Sequence, residues 1–521
     1  MSPNIVAITY ILLAIGMAFL VQPLNERSSV VIRAYLAWGV ITAIIFLSEY
    51  NILVVILSAA ALLVTGPAAA AHRVAFYIIV LGAVPAQLET ELPFPGVNYL
   101  ITLDHATVAA LALLAGPLLK SMVDNSERDR MRLADWLVIF FAIYATVMTS
   151  RELPLTSVIR QLWINLTIIV LPYFAISRSL RTSSDIRGAV WASLALAGVV
   201  GCIQLAEQVK HWQFYNLLIP ASIFTVSEYR FGLLRVGATL NGPLVGWVVM
   251  LAIVVLLSFR RMERVSLLRA MPLLILFAGS AAMTGSRAAF MIPTLGLGLY
   301  VVIIASGRFA QAGVFATGVA AGIAVYIYLS GDVDKLDEFG TFSYRQELIA
   351  ASLRQISEYP FFGKVDYIRD ENFRHLVQGQ GIVDIVNYYL QIALGYGFFG
   401  LALFLSPFVL IGYRLWSRLA KKRGAGADDE MDQDRKLAVV GFIGIVGFLL
   451  LIGTTSATSY IAHFGVILLG ITQAMARYFA RQPKGERLQN HGRRAFGRMT
   501  PVAATRVDRK PGFRQVAKRQ S

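Results

Sequence analysis

Three arginines stand near the starts of helices. Arg287 sits in "AAMTGSRAAFMIP" between two long apolar runs, with no acidic residue nearby in sequence. A charge so close to hydrocarbon is costly and by default marks a functional site. Arg235 opens "RVGATLNGP" ahead of another apolar run, and Arg345 lies near the start of "SYRQELIAASLRQISEYP". Helix amino ends offer free N–H groups and the positive end of the dipole. Guanidinium forks match phosphate oxygens two at a time. Arginines gathered at such ends predict a phosphate-rich ligand. The competing expectation is local: Arg235 anchors its loop, Arg287 caps a neighbouring helix, and Arg345 is a surface residue.

Two residues are candidates for moving a proton. Asp384 in "GIVDIVN" lies among apolar residues, where a carboxyl can serve as a base or a substrate contact. His375 in "ENFRHL" is the second, and Asp366 and Glu371 are further carboxylates on the same side. The chain has no Walker motif, no G-x-G-x-x-G opening a helix after a strand, no H-E-x-x-H and no Cys/His set. Cys202 is the single cysteine, so an intrachain disulfide is impossible. No cofactor and no metal are expected. A lipid-linked substrate suits that pattern, because a diphosphate-bound donor is already activated.

The elements that must hold these residues are membrane helices. The 521 residues are 57% hydrophobic and 15% charged, with mean hydropathy +0.63, whereas a globular chain carries roughly 25% charged residues. Candidate spans fall at 4–21, 30–47, 51–65, 73–88, 104–120, 133–149, 160–177, 186–205, 238–258, 267–283, 287–305, 311–330, 386–412, 437–456 and 459–478. The fold expected is all-α, a polytopic transmembrane bundle of about 12–15 spans. Joints alternate between basic ones and acidic or weakly charged ones. The positive-inside rule then places the amino terminus outside and the carboxyl tail inside.

Two outside segments, 206–237 and 331–385, are too long to be mere connections. In the second, Ser343 and Gln346 have capping-box spacing, and Ile349, Leu353 and Ile356 form one stripe ahead of Pro360. This predicts an amphipathic helix lying over the outer membrane face, followed by the "PFFGK" turn. The domains expected are 1–476, membrane-embedded, and 477–521, a disordered cytoplasmic tail. From Arg477 onward thirteen Lys or Arg face Glu486 and Asp508, and much of the net charge of +16 resides there. Without aromatic interleaving or a folded motif, that tail is expected to meet the lipid bilayer and no nucleic acid.

"RVGATLNGP", "MTGSRAAF", "SYRQELIAASLRQISEYPFFGK" and "DIVNYYLQIALGYGFFGLALF" occur in an order and spacing that resemble the O-antigen ligase and Wzy-type polysaccharide polymerase superfamily. The resemblance covers roughly 190–480. It implies a GT-C-like, metal-independent membrane glycosyltransferase of the bacterial plasma (inner) membrane. Its active site would face the periplasm and act on glycans carried by undecaprenyl diphosphate. The family's diphosphate-gripping arginines match Arg235, Arg287 and Arg345. Ligases of the family usually carry a histidine beside an asparagine where the large loop re-enters the membrane. Here Val386 precedes Asn387, and Asp384 lies two residues before Val386.

That departure points to the exopolysaccharide polymerase branch, joining undecaprenyl-diphosphate-linked oligosaccharide repeat units with Asp384 or His375 as proton acceptor. A chain-length regulator is then an additional partner to test. The alternative is an O-antigen ligase delivering the same donor to lipid A core or another acceptor. A secondary transporter or lipid flippase would account for many spans, but it predicts repeated halves and charges near the midplane, which the sequence does not display.

Overall fold

The computed structural model describes residues 2–23, 28–48, 51–123, 130–219, 228–230, 232–304, 341–377, 383–420, 429–456 and 460–481. The expected span at 311–330, parts of both long loops and the tail from 482 lie outside these residues. Helices run in chain order as α1 (Pro3–Val21), α2 (Ser28–Leu47), α3 (Ile52–Thr65), α4 (Ala70–Val80), α5 (His105–Val123), α6 (Leu133–Thr149), α7 (Leu155–Ile164), α8 (Leu171–Ser179), α9 (Ser183–Lys210), α10 (Gly242–Phe259), α11 (Leu267–Met283), α12 (Arg287–Ile304), α13 (Thr341–Glu358), α14 (Tyr388–Leu419), α15 (Asp429–Ile452) and α16 (Ile461–Arg481). Two hairpins, β1 (Glu89–Phe94) with β2 (Val97–Asp104) and β3 (Tyr229–Arg230) with β4 (Leu233–Leu234), complete the described elements.

The protein is largely α-helical and polytopic. Among the described residues nine helices are long and apolar enough to cross a membrane, and four further apolar helices are shorter. α7 and α8 act as one such helix, joined by a π-helical turn at Asn165–Val170. Asn165 is buried inside that turn and donates to Ala142 O at 3.1 Å and Thr146 Oγ1 at 2.9 Å. Buried α9 and α10 form the centre of the core.

Side-chain contacts sort the joints into two ends. At one, Arg151 Nη2 donates to Phe362 O at 2.8 Å and the Asp366 amide to Glu152 Oε2 at 3.1 Å. There too Tyr460 Oη donates to Val84 O at 2.7 Å, and Thr239 Oγ1 to Gly82 O. At the other, Arg187 pairs with Glu263 at 3.2 Å and Arg132 Nη1 donates to Ala476 O at 3.3 Å. Among the described residues, the weakly charged joints joined by these contacts thus share the first end and the basic ones the second.

Arg477, grouped by sequence with the tail, lies inside α16. It is 2% exposed and its Nη2 is 2.6 Å from Asp135 Oδ2. Tyr173 and Gln473 donate to the other oxygen of Asp135 at 2.8 and 3.1 Å. A helix carrying one paired arginine continues where a count of charges predicts a solvated chain. Only Ala480 and Arg481 are described of the separate unit Ala480–Ser521.

The large loop folds around its own small core. α13 buries Leu348, Ala351, Ser352, Gln355 and Ile356, whereas Ile349 and Leu353 are exposed. Of the expected stripe Ile349, Leu353 and Ile356, only Ile356 packs, and Ile349 and Leu353 lie on the open face. The stripe one residue earlier packs instead, because small Ala351 and Ser352 let the helix approach Phe373, Leu376 and Ile385. The helix also begins at Thr341, which puts Ser343 within its first turn rather than at the cap.

Candidate active site

Arg287 is the first residue of α12, so its position is set by the turn before it. In that turn Gly285 adopts φ +60°, and Thr284 Oγ1 accepts the Ser286 amide at 3.1 Å. A side chain at Gly285 would meet the stems of two other arginines. An ideal Cβ there lies 3.3 Å from Arg230 Cβ and 3.6 Å from Arg235 Cγ. Glycine serves this turn because it tolerates the left-handed conformation and leaves room for both stems.

Arg230 and Arg235 ride on the β3–β4 hairpin, which pairs Tyr229 with Leu234 and Arg230 with Leu233. The strand leaving the hairpin is bonded on both sides. The Arg235 amide donates to Glu228 O at 2.8 Å, and Gln213 Nε2 donates to Arg235 O at 2.5 Å. One residue on, the Val236 amide donates to Met283 O at 3.0 Å and Gln204 Nε2 to Val236 O at 3.0 Å. This lays the hairpin against the end of α11, beside the turn that carries Arg287.

Electrostatics joins four cations into one group. Partial burial, then the charge of Arg235, and further Arg287, depress the proton affinity of Arg230, while Glu228 raises it. Arg345, exposed on α13, is depressed first by the protein crowding its head and next by Arg287, with Asp384 opposing. Arg230 thus lies within electrostatic reach of Arg235, Arg287 and Glu228, and Arg345 within reach of Arg287 and Asp384, so that Arg287 links the two sets. Four cations against two anions leave the linked sets net positive.

Asp384 is held by its backbone. Its amide donates to Tyr344 Oη at 3.1 Å, and the same hydroxyl donates to Asp384 O at 3.2 Å. Tyr344 neighbours Arg345 on α13, so one helix turn sets the positions of both. Asn387 is the N-cap of α14, its side chain accepting the Leu390 amide at 3.2 Å. The other sequence candidates lie on the loop surface. Asp366 pairs with Arg369 at 3.3 Å and Glu371 with Arg374 at 3.4 Å, both as exposed neighbours one turn apart. His375 is exposed at the end of a short 3₁₀ helix. Among the described residues, no group of three His, Cys, Asp or Glu side chains could hold a metal.

The loop is fixed to the membrane helix by interlocking turns. α14 is broken at Gly397, which has φ +68°, and a Cβ there would lie 2.2 Å from Phe361 C. The Phe398 amide donates to Pro360 O at 2.8 Å and the Lys364 amide to Leu394 O at 2.8 Å. The "PFFGK" turn is therefore seated in the helix break, and Lys364 Nζ, 3.0 Å from Asp370 Oδ2, ties the next stretch down. Beyond the break α14 continues to Leu419 for about 34 Å, enough to cross hydrocarbon. Below Tyr388, a small apolar pocket lies between α6, α8, α14, α15 and α16, with Phe141, Tyr173, Phe404 and Phe408 in its wall.

Arg230 and Glu228 escaped the sequence reading. The signal available was "EYRFGLLR", in which a turn through Gly232 brings Arg235 opposite Glu228.

Residues 272–405 match a family model, Wzy_C, described as O-antigen ligase. An O-antigen ligase domain is thus present over that part of the chain, which holds Arg287, Arg345, Asp384 and Asn387 but not Arg230 or Arg235. No curated protein matches the sequence.

Proposed function

We propose that this protein transfers a glycan from a polyprenyl diphosphate carrier, undecaprenyl diphosphate in bacteria, to a hydroxyl acceptor. The observation that carries the reading is the meeting of Arg230, Arg235, Arg287 and Arg345 at the weakly charged end of the bundle. By the positive-inside rule that end faces the periplasm, and the basic end and the tail face the cytoplasm. The bundle is then a GT-C-like, metal-independent glycosyltransferase of the plasma membrane.

In this reading the acceptor oxygen attacks the anomeric carbon and its proton passes to a base. The bond from that carbon to the diphosphate breaks, and the charge arriving on the leaving diphosphate meets the guanidiniums. Preorganised donors aimed at developing charge are commonly the largest single catalytic contribution. Asp384 is the base favoured, because its carboxylate acts on Arg345, whereas His375 sits on the loop's outer surface. The apolar lining beneath Tyr388 matches the chemistry of the carrier's hydrocarbon chain.

The matched family model favours ligase-type delivery to an acceptor such as lipid A core. Val386 before Asn387, where ligases of the family usually carry histidine, supports polymerisation of repeat units as the second reading. Deleting the gene and sizing surface and lipid-linked glycans separates them. Long unattached polymer in the deletion strain means ligase, and single repeat units mean polymerase. Unchanged glycans with an intact carrier pool would remove both.

A further inference from the structure

Glu207, in the last turn of α9, is 1% exposed. Its Oε1 accepts the Phe214 amide at 3.0 Å and its Oε2 accepts the Ala238 amide at 3.2 Å. One carboxyl group therefore ties the turn at Phe214 to the stretch that follows Arg235. Ala238 is held at φ +54°, one of three non-glycine residues at positive φ among those described. Such a conformation persists only where its surroundings enforce it, and such residues cluster at functional sites. A buried carboxyl is itself costly unless hydrogen-bonded. Both unfavourable features meet at one hydrogen bond, three residues after Arg235.

The neighbouring bonds run in the same direction. One turn earlier on α9, Gln204 donates to Val236 O and accepts from Ser280 Oγ on α11. Thr239 Oγ1 donates to Gly82 O. The strand after Arg235 is thus fastened to α9, α11 and the end of α4, and Glu207 is the acidic member of that set. Glutamine has the size of glutamate but only one acceptor oxygen, so its NH₂ would face one of the two amides.

We infer that Glu207 is a positioning residue, a buried latch between Phe214 and Ala238 that holds the stretch from Arg235 to Ala238 so that Arg235 reaches an anionic ligand. The latch rests on the diphosphate reading above for the nature of that ligand. Glu207 touches no substrate; it acts through the backbone of Ala238 and Arg235 before it.

The test is a double-mutant cycle on the full chain in nanodiscs, with sugar-free polyprenyl diphosphate as the probe. Glu207→Gln should weaken binding about tenfold, the effect of losing one well-placed hydrogen bond. Arg235→Gln should weaken it comparably, and the double variant should bind little worse than either single one, because both act through one guanidinium. Adding Ala238→Gly to Glu207→Gln should restore much of the binding, since glycine adopts this conformation without a latch. If the glutamine variant does not purify, Glu207→Asp, one methylene short, should show the same sign and the same non-additivity. Fully additive losses, or wild-type binding by the Glu207 variants while Arg235→Gln binds weakly, would overturn the latch. Wild-type binding by Arg235→Gln would instead remove the diphosphate reading. In that case amide exchange of the Ala238 region in Glu207→Gln, unchanged from wild type, would remove the latch as well.

Discussion

Glu228 stands across the hairpin from Arg235, its Oε2 2.7 Å from Arg235 Nη1 and 3.6 Å from Arg230 Nη2. In the diphosphate reading proposed above, the carboxylate occupies the place on Arg235 that a phosphate oxygen would take. Glu228 is about half exposed, so the pair is worth at most about 1 kcal/mol. Glu228→Gln should therefore free the arginines and tighten binding of polyprenyl diphosphate by up to about fivefold, read by competition in nanodiscs. Weaker binding would show that Glu228 orients Arg235 rather than standing in for the ligand.

Asp384 and His375 make opposite predictions. Asp384→Asn keeps the backbone bonds to Tyr344 and loses the basicity, so transfer should fall by about 10²–10⁴ while diphosphate binding stays within a few fold. His375→Ala should leave transfer unchanged, because His375 is exposed on the loop. Rates at matched protein levels decide it, and the reverse pattern moves the proton to His375.

The seat of the loop turn in α14 predicts a stability effect. Gly397→Ala places a Cβ 2.2 Å from Phe361 C at a residue with φ +68°. The cost should exceed about 1–3 kcal/mol, the range for a strained backbone position alone. Thermal melting in detergent and proteolysis around Pro360 measure it. A wild-type melting curve with an intact loop would show that the interlock is dispensable.

Loop stability should be flat through neutral pH and fall outside it. The amide of Asn372, more than the Lys364 ammonium, holds Asp370 below the ordinary carboxylate value, against a smaller effect of burial. Its contribution is present above about pH 3.9, the unfolded value, and is lost as pH falls below that. The hydrogen bond to Asp370 raises Lys364. That contribution is present below about pH 10.4 and is lost as pH rises through the higher folded value. Exchange protection of residues 364–376 should decline at both extremes in wild type and lose the acid step in Asp370→Asn. An acid step unchanged by that substitution would assign it to another group.

The spans were legible because apolar runs separated by alternating charge leave few alternatives for a helix in hydrocarbon. Arg235 and Arg287 stood out in the sequence as charges at the edges of such runs, and Arg345 as a charge near the start of the loop helix. Arg230 and Glu207 were not. Arg230 joins the group only through hairpin register, and Glu207 reads as the polar end of a helix until its two amide partners are brought to it. Periodicity also misplaced the packed face of α13. Ile349–Leu353 and Leu348–Ala351–Gln355 share helical spacing, and the partner's shape chose the stripe with smaller side chains. Asn387 was legible as a polar residue ahead of a span, but its capping role required the geometry.

Arg287 tests the central claim most directly. It begins α12 beside the turn that meets Arg230 and Arg235, and its charge is felt at both Arg230 and Arg345. Glycan transfer from purified polyprenyl-diphosphate-linked oligosaccharide should fall by about 10²–10³ in Arg287→Ala, the usual effect of removing one preorganised donor. Arg287→Lys should recover only part of it, because an ammonium lacks the fork. Lysine and alanine variants that both transfer glycan at wild-type rates would contradict a diphosphate grip at this end of the bundle.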